Sequence, residues 1–310
     1  MSGRGAAATV HAQAKVNLFL HILAREESGY HQIETLFCRV MLGDTVTVRT
    51  TRGTWAIETE GADTGPPAEN LASRAARLYA EERGWPAGCE IRIEKRIPVG
   101  GGLGGGSADA GAVLRALAAL DPSAPTPAEV LRLAGRLGAD VPFLASREPL
   151  ALGGGRGERL LALPPLPPRA VALLVPPFSV ATKDAYAWLA DIRATDAARN
   201  TGAAVRLTSV TALAQWETLA PLMSNDFESV VATRHPEIAA LTAALRAAPS
   251  TCAALMSGSG STVFAVLAGP PGAPSPGSPP LGSLADAAPL PGTLIMTATA
   301  DHVAEVRRIE

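Results

Sequence analysis

The sequence has 310 residues, 47% of them hydrophobic and 18% charged, with a formal net charge of −2. That length supports a sizeable core in two domains or one large one. The near-neutral charge, without a concentrated basic run, gives no footing for general nucleic-acid binding.

The opening MSGRGAAATVHAQAKVNLFL has no charged region leading into a long apolar core, so it does not read as a signal peptide. No apolar run reaches the roughly 20 residues of a membrane-spanning helix. Cys38, Cys89 and Cys252 are odd in number, scattered and without CxxC spacing. They argue against a disulfide framework or a zinc site and for small core residues in a reducing, cytoplasmic setting.

Val16, Leu18, Leu20 and Ile22 alternate along AKVNLFLHILA and predict a strand, and GDTVTVRT repeats the period. ENLASRAARLYAEERG predicts a helix, with Leu71, Ala75, Leu78 and Tyr79 at helical spacing and Gly84 at its end. In CEIRIEKRI, Glu90, Arg92, Glu94 and Arg96 share one face and Ile91, Ile93, Lys95 and Ile97 the other. This is a half-exposed strand, as in an antiparallel sheet. After a glycine-rich stretch, Ala110, Val113, Leu114, Leu117 and Leu120 trace a helical face. TPAEVLRLAGRLG then carries a capping box in Thr126 and Glu129, a proline at the first helical position, and Gly138 to close the helix.

The clustered prolines of ALPPLPPRA mark the best domain boundary, dividing the chain into 1–164 and 165–310. Beyond it AVALLVPP reads as a buried strand, ATKDAYAWLA and HPEIAALTAALRAA as helices, and STVFAVLA as a late strand. The stretch from Ala268 to Gly292, dense in Pro, Gly and Ser, reads as a loop.

Six glycines fall within the seven residues from Gly100 to Gly106. A flexible linker would have polar flanks, but here a strand pattern enters and a helix pattern leaves. Gly100, Gly102 and Gly105 satisfy GxGxxG, yet the strand entering a dinucleotide-binding turn is usually apolar on both faces. No GxxxxGK[ST] occurs. A third reading is a triphosphate cradle of another type, in which bare backbone N–H groups and a helix N-terminus close around phosphate oxygens.

PVGGGLGGGSADA resembles the phosphate-binding motif of the GHMP kinases (galactose, homoserine, mevalonate and phosphomevalonate kinases). AKVNLFLHIL, SGYHQIETLF, ENLASRAARL, LGADVPFL, SNDFE and MSGSGSTVFA accompany it in the order of one member group, from Ala14 to Leu267. The resemblance implies a two-domain α/β (α+β type) fold. A ribosomal-protein-S5-like N-terminal domain and a ferredoxin-like C-terminal domain would flank the active-site cleft. It also implies transfer of phosphate from ATP, with Mg2+, to the 2-hydroxyl of a cytidine-diphosphate substrate. Neither a membrane, nor a nucleic acid, nor a protein partner is expected.

By that resemblance Lys15 and Asp140 are catalytic, Lys15 stabilising developing charge and Asp140 accepting the hydroxyl proton. Taken alone, Lys15 reads as an exposed strand charge and Asp140 as a turn cap. Asn17 shares the strand face with Lys15 and would bind substrate; Tyr30 would stack on the cytosine and His31 hydrogen-bond its edge. Tyr186 is a candidate for the opposite wall. Pro98, Val99, Gly100, Gly101, Gly102, Leu103, Gly104, Gly105, Gly106, Ser107 and Ala108 would wrap the ATP phosphates, with Asn70 and Lys95 near the adenine. Ser257–Gly260 would bring a second glycine turn to the cleft. No protein-bound metal site is expected, since magnesium would be held by phosphate oxygens and water. Two departures stand out: Ala108 replaces a serine that many members carry, and the Pro-rich stretch stands where a regular helix is expected. A dinucleotide-binding oxidoreductase, another GHMP kinase and a silent nucleotide-binding module are the alternatives.

Overall fold

The alternating N-terminal segment forms β1 (Ala7–Arg25), which pairs antiparallel with β2 (His31–Thr51) over most of its length. The computed structural model describes residues 5–26, 31–195, 210–269 and 292–309; Tyr30 and residues 270–291 of the Pro-rich stretch lie outside them. Next come β3 (Trp55–Glu60), α1 (Leu71–Arg83) and β4 (Gly88–Glu94). Ile91 and Ile93 of β4 are buried, while Glu90 and Arg92 are exposed. Strand β4 is antiparallel to β2, as its half-exposed pattern led us to expect, but parallel to β3. The crossover through α1 makes the parallel pairing possible.

Asn70 caps α1 by accepting a hydrogen bond from Ala72 N at 2.9 Å, and Gly84 ends it in the left-handed region. The glycine stretch leads into α2 (Gly105–Leu120), followed by α3 (Pro127–Gly135) and α4 (Val141–Ala145). The Thr126–Glu129 capping box is present, but α3 ends at Gly135, before the expected Gly138. Arg136 N and Leu137 N donate to Leu133 O and Ala134 O, and these three-residue bonds tighten the last turn early. β5 (Leu150–Gly154) returns to β2 and pairs with β6 (Arg159–Ala162).

The rest of the chain builds a second sheet. β7 (Ala170–Val175), α5 (Thr182–Thr195), α6 (Trp216–Leu219), α7 (Asp226–Arg234) and α8 (Pro236–Ala247) precede β8 (Thr251–Met256), β9 (Val263–Leu267) and β10 (Thr293–Ala298). Its order is β10-β7-β9-β8, all antiparallel. The last strand, β11 (Arg307–Ile309), pairs with β1 in the first sheet. Val171, Leu173, Leu255, Phe264 and Val266 put one face of the second sheet into the core shared with α1 and α2. Ala172, Leu174, Met256, Val263 and Ala265 face α5, α7 and α8.

Short α4 is held between α2 and β2. A Cβ added at Gly111 of α2 would lie 2.7 Å from both the carbonyl carbon and oxygen of Leu144 and 2.8 Å from Ala145 N. On the other side Phe143 stacks on Phe37 of β2 at 4.9 Å. Because the atoms facing Gly111 are backbone, Gly111→Ala must displace α4. It is expected to cost about 1–3 kcal/mol, read as a lower urea midpoint with an unchanged m-value. An unchanged midpoint would show that the contact is looser than its geometry.

Candidate active site

A buried ion triad ties down both ends of the glycine loop. Asp44 of β2 accepts from Arg96 N at 2.5 Å and Ile97 N at 2.8 Å, where the chain leaves β4. Lys95 Nζ donates to Asp44 at 2.5 Å and to Asp109 of α2 at 2.8 Å. The Lys95 and Asp109 side chains are each 2% exposed. Burial pushes Asp109 up to about 7 against the pull of Lys95, and the Asp44 charge pushes the same way. Its Oδ1 has no hydrogen-bond partner.

Between these ends, the loop packs on the turn joining β8 and β9. Gly102 has φ +76°, and a Cβ there would lie 2.2 Å from Ser257 O. Ser257 Oγ donates to Gly102 O at 3.0 Å and Thr262 N to Gly101 O at 3.2 Å. Gly106 faces open space, with Leu71 Cδ1 at 3.8 Å the nearest neighbour of a Cβ placed there. Thus the bare backbone serves two purposes: the first glycines admit the second sheet's turn, and the last opens on the cleft.

Lys15 lies against the loop. Its N–H donates to Leu103 O at 3.0 Å, its Nζ donates to Asn17 Oδ1 at 2.7 Å, and Asp140 Oδ2 is 3.4 Å away. The lysine side chain is 3% exposed and the aspartate 30%, so the carboxylate is the open half of the pair. Asp140 occupies the N-cap position of α4, yet its side chain makes no capping hydrogen bond. Asn17 Nδ2 donates to Thr35 Oγ1 at 2.8 Å, and that hydroxyl donates to Phe19 O at 2.7 Å. Thr35 was not singled out in the sequence; only the register of β1 on β2 brings it there.

His31, at the start of β2, stacks on Tyr186 of α5 with centroids 4.5 Å apart and 20° between planes. Tyr186 meets Phe227 edge-on at 4.8 Å. Burial, and then the Asp140 charge, push the Tyr186 phenol up to about 12, so it stays protonated at physiological pH. Tyr30 lies outside the described residues.

One cleft of about 1780 Å³ gathers these groups. It is lined by Lys15, Asn17, His31, Asn70, Lys95, Asp140, Tyr186 and the loop from Pro98 to Ser107. The turn from the second sheet adds Gly258 and Ser259, whose hydroxyl is 2.9 Å from that of Thr182. Ala108, 2% exposed, faces the core and not the cleft. Asn70 spends its Oδ1 on the α1 cap and donates Nδ2 to Thr64 Oγ1 at 3.2 Å. Among the described residues, no group of three or more His, Cys, Asp or Glu side chains is placed to hold a metal, and no helix is long and apolar enough to cross a membrane.

A glycine loop opening a helix, docked on a second glycine turn beside a lysine–aspartate pair, defines a small-molecule kinase of the GHMP class. The GHMP kinases N terminal domain matches residues 70–147, and the GHMP kinases C terminal domain matches 209–274. The 4-diphosphocytidyl-2-C-methyl-D-erythritol kinase of Pelotomaculum thermopropionicum is 40% identical over 84% of this chain and 89% of its own. That of Salinibacter ruber is 38% identical over 83% and 88%. A crystal structure of 4-(cytidine 5'-diphospho)-2C-methyl-D-erythritol kinase, 36% identical, superposes with TM-score 0.73 over 94% of this chain and 99% of that one. Homoserine kinase from Cytophaga hutchinsonii, 20% identical with TM-score 0.67, shares the fold. The chain belongs to the 4-diphosphocytidyl-2-C-methyl-D-erythritol kinase family.

The Asp109 carboxyl gives the triad a pH signature. Folded Asp109 keeps its proton to about pH 7, whereas a free one releases it at 3.8. Between those values the folded state binds the extra proton, so this group's contribution is fully present below the lower value. It is lost as pH rises through the upper one. Asp109→Asn is expected to flatten that part of the stability profile, measured by urea unfolding at pH 5 and pH 8. An unchanged slope would mean that Asp109 is already ionised at pH 5.

Proposed function

We propose that the cleft transfers the γ-phosphoryl group of ATP to the 2-hydroxyl of 4-diphosphocytidyl-2-C-methyl-D-erythritol. The products are ADP and the 2-phosphate, in the methylerythritol phosphate route to isoprenoid precursors. The observation carrying this reading is the Lys15–Asp140 pair, 3.4 Å apart, in the lining of the cleft beside the glycine loop. Asp140 takes the hydroxyl proton as that oxygen bonds to the γ-phosphorus and the bond to the β–γ bridging oxygen breaks. Lys15, held by Asn17, lowers the energy of the charge developing on the attacking and transferring oxygens. The N-terminal part of α2 and the loop backbone receive the phosphates.

A magnesium ion would be held mainly through phosphate oxygens and water, as its reluctance to dehydrate favours, with the Ser107 and Asp140 side chains among the protein oxygens that line the cleft. When bound, that ion would neutralise phosphate charge. His31, with Tyr30 and Tyr186, recognises the cytosine: two donors or acceptors on a ring edge and flat faces for stacking. In this division the N-terminal domain, 1–164, supplies Lys15, Asp140 and the loop, and the C-terminal domain, 165–310, supplies the Ser257–Gly260 turn. The cytoplasm is the proposed setting, where ATP is supplied and where Cys38, Cys89 and Cys252 would stay reduced.

ADP release in the presence of magnesium-ATP tests the reading. It is expected with the cytidine-diphosphate substrate and not with homoserine or mevalonate. Asp140→Asn should lower kcat about 10²–10⁴-fold and Lys15→Met about 10²–10³-fold, with little change in either KM. No substrate-dependent ADP would sink the assignment, and an undiminished Asp140→Asn would sink the proposed base. His31→Ala should raise the KM for the cytidine substrate and leave that for ATP in place; equal changes in both would remove His31 from base recognition.

A further inference from the structure

Arg39 is a buried cation, 1% exposed, with no ion-pair partner among the described residues. Its guanidinium donates only to backbone carbonyls: Nη2 to Phe143 O at 2.7 Å and to Ser146 O at 3.1 Å, and Nε to Glu148 O at 3.0 Å. Its Cζ also lies over the Phe143 ring, 4.9 Å from the centroid. Burying a charge without a counter-charge is costly, and burial pulls the Arg39 pKa down, as does the like charge of Arg115 on α2, while Glu148 opposes. Two of these carbonyls, of Phe143 and Ser146, lie at the C-terminal end of α4, where the helix dipole is negative and a cation is favourable, and the third, of Glu148, lies just beyond it.

The other end of α4 carries Asp140, whose carbonyl accepts the helix bond from Leu144 N at 3.1 Å. Arg39 and Lys15 are direct cross-strand partners in β2 and β1, so their side chains leave the sheet on the same face. Lys15 reaches the N-terminal end of α4 and Arg39 its C-terminal end. Phe37, two residues from Arg39 on the same strand, stacks on the helix between them.

We infer that Arg39 is a positioning residue for Asp140: by gripping the C-terminal carbonyls of α4 it holds the carboxylate beside Lys15. The inference rests on Asp140 being the base. A small displacement of a reacting group is enough to cost about 10²-fold in rate, whereas the groups proposed to bind ATP and the cytidine substrate lie outside α4.

The experiment is a kinetic double-mutant cycle on the full chain, with Arg39→Met, Asp140→Asn and the double variant assayed by ADP release. Arg39→Met is expected to lower kcat about 10–100-fold with both KM values within about twofold, and Arg39→Lys to recover part of the loss. Because Arg39 acts through Asp140, adding Arg39→Met to Asp140→Asn should cost no further activity beyond about twofold. Should Arg39→Met not fold, Arg39→Lys and Phe37→Leu enter the same cycle, since each loosens the same helix. Wild-type kcat in a folded Arg39 variant, or an additive loss in the double variant, would overturn the inference. So would a rise in both KM values matching the fall in kcat. Full activity in Asp140→Asn would instead overturn the reading of the base on which it rests.

Discussion

The cleft depends on two backbones touching. At Gly102 the chain comes so near Ser257 O that a Cβ would lie 2.2 Å from it, and the Ser257 hydroxyl closes the contact by donating to Gly102 O. From the opposite side Lys15 N donates to Leu103 O. The loop is therefore pinned between the second sheet and the first strand, with the Asp44–Lys95–Asp109 triad at its ends. A loop fixed in this way has its N–H groups already arranged for the phosphates it is proposed to receive, so little reorganisation is left for the proposed reaction.

Two buried lysines flank the loop, and their partners separate their tasks. Lys95 faces two fully buried carboxylates, so its charge is spent within the protein. Lys15 faces one carboxylate, 3.4 Å away and partly open to solvent, and one amide oxygen. The first arrangement leaves a surplus of negative charge that burial relieves by raising Asp109. The second is balanced, and tips toward positive if the carboxylate takes up a proton, which in the proposed reaction is when added phosphoryl charge beside it needs a cation.

Much of this was legible in the sequence because it is local. Alternation placed Lys15 and Asn17 on one strand face, and the capping box announced α3. The same alternation put Lys95 with Ile91, Ile93 and Ile97 on the apolar side of CEIRIEKRI, a position where a lysine must find buried partners. Which partners, Asp44 and Asp109, depends on pairing across 51 and 14 residues of chain, which no local pattern encodes. The bare glycines suggest phosphate contact throughout, yet Gly102 is bare for the Ser257 turn, a contact between segments 155 residues apart. Arg39 and Thr35 look like ordinary strand residues until register is known, and the parallel β3–β4 pairing is hidden because both strands alternate as antiparallel ones do.

Register also explains how a five-residue helix can carry the proposed base. A helix as short as α4 has no stability of its own, so the orientation of Asp140 is set wholly by what packs around it. Irregularities in the β1–β2 ladder fall between Gln13 and Lys15 and between Asn17 and Phe19. Between them Lys15, Val16 and Asn17 pair regularly with Arg39, Cys38 and Phe37. Such bulges re-aim side chains next to active sites, and here they bracket a short island in which two cleft residues stand directly opposite the two that hold α4. A slip of one residue between the strands within that island would put Lys15 and Asn17 on the opposite face of the sheet from Arg39 and Phe37. The helix, the lysine and the asparagine are thus set by a single strand register, and the first sheet is as much a part of the proposed catalytic geometry as the glycine loop.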